Sequence, residues 1–176
     1  MKKVIVLVFA CLMLTACGAA ESGTESSTNA GTSVGAESTQ TVKAGELMAE
    51  LESYGVVQSG SEEISEGTMY TSDFTSVGGC MFNYSIISTD NGDLYSAEFY
   101  IEGNDTEGIL AFCAAYGFEG ADKETATDFV TKNINTEFST ASGPRETVLT
   151  IGNTVLSIVV DGESTTLYVM PYVENT

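Results

Sequence analysis

The spacing of apolar positions changes several times along this chain, and each change marks an element. Leu47, Leu51 and Tyr54 recur at i, i+4 and i+7. That is the spacing of one helical face, and Gly55 behind it is able to close a helix in the left-handed conformation. A short helix is therefore predicted over 45–55. From 56 to 76 the pattern is irregular. Val56-Val57 and Met69-Tyr70 suit short strands joined by an acidic loop over 61–67. Around Asp90-Asn91-Gly92-Asp93 the pattern becomes alternating. Asn-Gly favours a two-residue type I′ turn, whose twist matches a β-hairpin. Such a turn sets residues whose numbers sum to 183 opposite each other. Phe82, Tyr84 and Ile86 then face Ile101, Phe99 and Ala97 on an apolar side. Asn83, Ser85 and Ile87 face Tyr100, Glu98 and Ser96 on a mostly polar one. A one-residue slip would mix the two faces, so turn and pattern support each other.

Helical spacing returns after the hairpin. Asn104 followed three residues later by Glu107 has the form of a capping box. Ile109, Phe112, Cys113 and Tyr116 form the inward face behind it, and Gly117 ends the helix. A further helix is predicted over 124–135, with Ala126, Phe129, Val130 and Ile134 inward, and a loop over 140–144. The chain then alternates again over 148–151, 154–160 and 165–173, with turns at Gly152-Asn153 and over 161–164. Val155, Leu156, Ile158, Val159 and Val160 are apolar on both faces, which predicts a central strand. Helix, strands, two helices and strands in that order predict an α+β fold: a two-layer sandwich, one antiparallel sheet with helices packed on one face. Residues 43–176 suffice for one domain with its own core.

The N-terminus follows different rules. Lys2 and Lys3 precede an apolar run over 4–14, which is 11 residues long. A helix spanning a bilayer needs about 20. A positive start, a short apolar stretch and small residues before a cut site are the features of a secretory signal. With Leu14-Thr15-Ala16-Cys17, this segment resembles the signal peptide and lipobox of bacterial lipoproteins. The resemblance covers 1–17 only. It implies cleavage before Cys17 and lipid on the Cys17 thiol, leaving the protein on the cell membrane and facing outside the cytoplasm. An ordinary secretory peptide cut after Ala16 or Ala20 is the alternative. Two or three acyl chains on one cysteine give stable anchoring.

Residues 17–42 hold that cysteine and then Gly, Ala, Ser, Thr and Glu with almost no large apolar side chain. Such a segment buries too little surface to offset chain entropy, so a disordered tether is expected. A flexible coil of this length spans about 28 Å. Removing residues 1–16 takes Lys2 and Lys3 from the six basic residues. Four then face 25 acidic ones, a net charge of −21. That excludes nucleic acid as the expected partner, because neutralising phosphates requires lysine and arginine. The membrane is reached through lipid on Cys17 instead.

Absent residue types narrow the chemistry further. The chain has no histidine, so it cannot build a Ser-His-Asp triad, a Cys-His pair or a His-ligated zinc site by itself. It also lacks tryptophan. Cys80 and Cys113 are the thiols left once Cys11 and Cys17 are accounted for. Outside the cytoplasm a pair suggests a disulfide, and one closing 33 positions is worth about 3–4 kcal/mol in the loop-entropy model. The predicted helix, however, carries Cys113 away from the hairpin end that holds Cys80. Two buried free thiols are the other reading, and the preferred one. Asp90-Asn91-Gly92-Asp93 with Glu98 fails as a calcium loop, because Ile87 and Thr89 stand where acidic ligands belong. Glu62, Glu63, Glu66 and Asp73 form the densest acidic stretch, the pattern of an exposed loop. Tyr95, Tyr100, Tyr168 and Tyr172 are candidates to share a sheet. Ile87, Leu94 and Tyr100 form a candidate interaction surface on the polar face of the hairpin. No catalytic residue, metal or cofactor is implied. The expected function is a non-catalytic protein- or peptide-interaction module. The alternatives are a small-ligand or cation-binding lipoprotein, or a carboxylate-based hydrolase of envelope polymers.

Overall fold

The structure, a computed structural model, describes residues 42–118, 122–134 and 143–172. Cys17 and the expected tether up to residue 41 lie outside the described residues. So do the predicted helix end at Asn135, most of the loop over 140–144 and the strand end at Val173. Among the described residues three helices and eight strands follow in the order α1 (Ala44–Ser53), β1 (Gln58–Ile64), β2 (Gly67–Ser72), β3 (Thr75–Val77), β4 (Gly79–Ser88), β5 (Leu94–Asn104), α2 (Ile109–Tyr116), α3 (Asp122–Ile134), β6 (Arg145–Ile151), β7 (Thr154–Asp161) and β8 (Ser164–Pro171). The strands form one antiparallel sheet in the order β1-β2-β4-β5-β8-β7-β6, with β3 also paired to β4. The protein is thus an α+β fold dominated by its sheet. Two meanders, one from each side of the helical pair α2–α3, meet where β5 pairs with β8.

Alternation along β4 and β5 feeds the core. Phe82, Tyr84, Ile86, Ala97, Phe99 and Ile101 are all buried, and Phe82 and Phe99 stack with ring centroids 6.2 Å apart. Leu156, Ile158, Leu167 and Val169 extend the same cluster on β7 and β8. Leu47 and Leu51 of α1, Ile109, Leu110 and Cys113 of α2, and Ala126 and Val130 of α3 belong to it as well. Among the described residues one buried side-chain group is unmatched. Tyr84 is 3% exposed and its hydroxyl has no hydrogen-bond partner. Burial first, and the Glu52 carboxylate second, push its ionisation above the ordinary range. Removing an unsatisfied buried hydroxyl while keeping the ring removes a desolvation cost. Tyr84→Phe is therefore expected to leave stability unchanged or raise it by up to about 1 kcal/mol in urea denaturation. A loss of that size would show that the hydroxyl has a partner.

The hairpin differs from its prediction in an instructive way. From Phe82↔Ile101 to Ile87↔Ser96 every pair obeys the expected register. The turn itself is longer. Thr89 donates to the Asp93 carbonyl, Gly92 donates to the Thr89 carbonyl, and Gly92 has φ +80. Three residues thus separate the bonded pair Thr89 and Asp93, where two were expected. A bulge at Tyr95, between Ser88↔Leu94 and Ile87↔Ser96, absorbs the extra position and restores the register. The loop is also held from outside: Lys43 bridges to Asp93 and ion-pairs with it, and Ala44 N–H donates to the Gly92 carbonyl.

Three further expectations are corrected. The capping box of Asn104 and Glu107 does not form, because β5 runs through Asn104. Asp105 caps α2 instead, its two oxygens accepting from Ile109 N at 2.8 Å and Leu110 N at 3.0 Å. The acidic loop over 61–67 is mostly strand: β1 and β2 form a hairpin turning at Ser65-Glu66. The strand expected near Val56-Val57 starts later, at Gln58. The expectation for β7 holds: it is an interior strand, paired with β6 on one side and β8 on the other. Among the described residues no helix is long and apolar enough to cross a membrane.

Candidate interaction surface

Each strand that sends one set of side chains into the core sends the alternate set to the opposite face of the sheet. The central row of that second face is Thr71, Ser85, Glu98, Tyr168, Ser157 and Val148, one residue from each of β2, β4, β5, β8, β7 and β6. The row beside it holds Asn83, Tyr100, Thr166, Val159 and Glu146. On the other side Met69 pairs with Ile87, and Val155 with Met170. Asp73 and Phe74 break the strand between β2 and β3. Phe74 turns its ring edge-on to Tyr100 at 5.7 Å while remaining 52% exposed.

Of the predicted surface Ile87, Leu94 and Tyr100, two members share this face. Leu94 does not. The bulge at Tyr95 shifts the alternation by one, so Leu94 pairs with Ser88 and packs against the core. Ile87 and Tyr100 are also not neighbours, since the Ser85–Glu98 row separates theirs. Tyr100 instead has Tyr168 as its diagonal neighbour across β5 and β8, close enough for aromatic side chains to interact. Tyr95 is the bulged residue and is exposed, and Tyr172 lies just beyond β8, its N–H donating to the Asn153 carbonyl. Ser157 and Glu146 were not singled out by sequence reasoning, and Glu98 entered it only on the polar face of the hairpin and as the last position of the failed calcium loop. The pairings that bring them beside Tyr168 and one another join distant parts of the chain and leave no local signal.

The polar centre of this face is partly shielded from water. Ser157 is only 2% exposed and its hydroxyl donates to Glu146 Oε1 at 2.8 Å. Burial pushes the Glu98 carboxyl above the usual carboxylate range. Burial also raises the Tyr168 phenol, with the Glu98 and Glu146 carboxylates adding to the effect and a hydrogen bond with Thr166 opposing it. A carboxyl raised in the folded state is penalised in its charged form. That penalty is full above the folded pKa and vanishes below the ordinary unfolded value of about 4.3. Glu98→Gln is therefore expected to raise Tm at neutral pH and to leave it unchanged near pH 3. An equal change at both pH values would contradict this reading.

The other candidates do not assemble a reactive site. Cys80 and Cys113 are both buried and unbridged. Burial, then the Asp105 carboxylate, raises both thiols, which is the opposite of activation. Glu62 and Glu63 are consecutive on β1 and point to opposite faces, while Glu66 sits in the turn. Among the described residues no three of His, Cys, Asp and Glu come together to hold a metal ion. A cleft of about 180 Å³ lies between Leu94, Tyr95, Phe118 and Pro171. That is below the roughly 300–1,000 Å³ typical of small-molecule pockets, and a larger cleft of about 320 Å³ beside Asn104, Asp105 and Ile134 reaches only the lower end of that range. Comparison with protein-family models, curated proteins and solved structures finds no match to this chain.

Proposed function

We propose that the chain is a lipid-anchored extracytoplasmic bacterial lipoprotein whose folded part, 43–176, is a non-catalytic protein- or peptide-interaction module. Lipid on Cys17 holds it to the membrane, and residues 18–42 space the domain from the lipid surface. The helices form one layer on one face of the antiparallel sheet, and the other face is presented to the partner. The layering is supported by the single core cluster, which draws on all three helices and on one alternating set of strand residues.

One observation carries the interaction reading. Of seven exposed large apolar side chains among the described residues, Phe74, Met81, Val148 and Met170 lie on the non-core face, on different strands and rows. A single exposed apolar side chain needs no explanation, whereas four on one sheet face, with the Phe74–Tyr100 ring contact among them, support a contact surface there. Tyr100 and Tyr168 supply the amphipathic aromatic groups that dominate such contacts. The test is affinity purification of the tagged protein from its native envelope. A partner is expected to co-purify and to be lost on combining Ile87→Ser with Tyr100→Ala. Retention of that partner by the double variant counts against the reading.

A further inference from the structure

Charge on the non-core face is all of one sign. Glu62, Glu98, Glu102, Glu146 and Asp161 lie on it by strand register. The basic residues of the described structure lie elsewhere. Lys43 pairs with Asp93 at the hairpin loop, Lys123 and Lys132 are on α3, and Arg145 donates to the Asn133 carbonyl on α3. Two of the acids are not free surface charges: Glu98 is half-buried and Glu146 accepts from the buried Ser157 hydroxyl. Exposed apolar side chains flank both, Val148 and Met170 among them. A surface with partly desolvated carboxylates between apolar side chains is complementary to apolar groups interspersed with cations.

Resting on the interaction reading above, we infer that this face docks a polypeptide bearing lysine or arginine among apolar side chains, with its cations paired to Glu98 and Glu146. The other occupants fit less well. A second copy would set carboxylates against carboxylates with no cation between them. An anionic lipid surface repels this face for the same reason. The chain cannot supply the occupant after processing before Cys17, because residues 17–42, 119–121, 135–142 and 173–176 contain no lysine or arginine.

The purified full chain is tested by fluorescence anisotropy with three labelled heptapeptides. One alternates Lys with Val and Phe, one replaces each Lys by Glu, and one replaces each apolar residue by Ser. The Lys/apolar peptide is expected to bind at least ~10-fold more tightly than either control. Combining Glu98→Gln with Glu146→Gln is expected to remove that preference, since glutamine still accepts from Ser157 but carries no charge. Glu50→Gln with Glu124→Gln, on exposed positions of α1 and α3, is expected to leave binding unchanged. Equal binding of all three peptides, no binding of the Lys/apolar peptide, or equal losses in the two double variants would overturn the inference. Tyr100-dependent binding of the Glu peptide would overturn the basic-partner assignment alone and leave the interaction reading standing.

Discussion

Replacing Phe99 by alanine is expected to lower stability by about 3–5 kcal/mol, the cost of a large cavity in a packed core. Phe99 is fully buried at the middle of β5, opposite Tyr84 on β4 and Leu167 on β8, and stacked with Phe82. The loss removes much of the roughly 5–15 kcal/mol that a domain has in total. Its neighbour Tyr100 points the other way, where its main aromatic contact is the exposed Phe74. Tyr100→Ala is expected to cost less than half as much, about 1–2 kcal/mol. Urea denaturation of the two variants reads the faces of the sheet directly. Equal losses would mean that Tyr100 is core, and the proposed surface would be gone.

The second large effect is at the other end of the chain. Cys17→Ala is expected to abolish metabolic labelling with palmitate and to move the protein from the membrane fraction to the aqueous one. Two or three acyl chains give stable attachment, which the alanine variant cannot receive at position 17. Carbonate-washed membranes and labelled palmitate make the comparison. A variant that still labels and still sediments with membranes would refute the lipobox reading.

Much of the fold is legible in the chain because its signals are local. The alternation of Phe82, Tyr84 and Ile86 with polar residues identifies β4, and its register with β5 follows from apolar matching. The same matching tolerates a wrong turn length, since the Tyr95 bulge repairs the register further along. It does not protect residues between turn and bulge, and that is why Leu94 changes face. Strand β1 was legible only in outline. Its sequence is polar and acidic, and as an edge strand it pairs on one side and buries little. The start of α2 was misplaced: the helix begins only at Ile109 with Gly108 at the N-cap position, and the Asp105 side chain serves its first N–H groups, because β5 extends through Asn104.

The surface was less legible than the fold, for a physical reason. It forms where β5 meets β8, more than 60 residues apart in the chain. That pairing sets Glu98 beside Tyr168, and through β7 and β6 it adds Ser157 and Glu146. Each is an unremarkable polar residue in its own strand. Only the long-range order of the sheet brings them into two adjacent rows of one face, Glu98, Tyr168 and Ser157 in one and Glu146 in the next.

The central claim is that this face, and no other part of the domain, meets a partner. Site-specific photocrosslinking in intact cells addresses it most directly, with a benzophenone amino acid at Tyr100 or at Glu124, an exposed position on α3. One adduct of defined mass is predicted from position 100 and none from position 124. The same adduct from both positions, or none from position 100, would contradict the account.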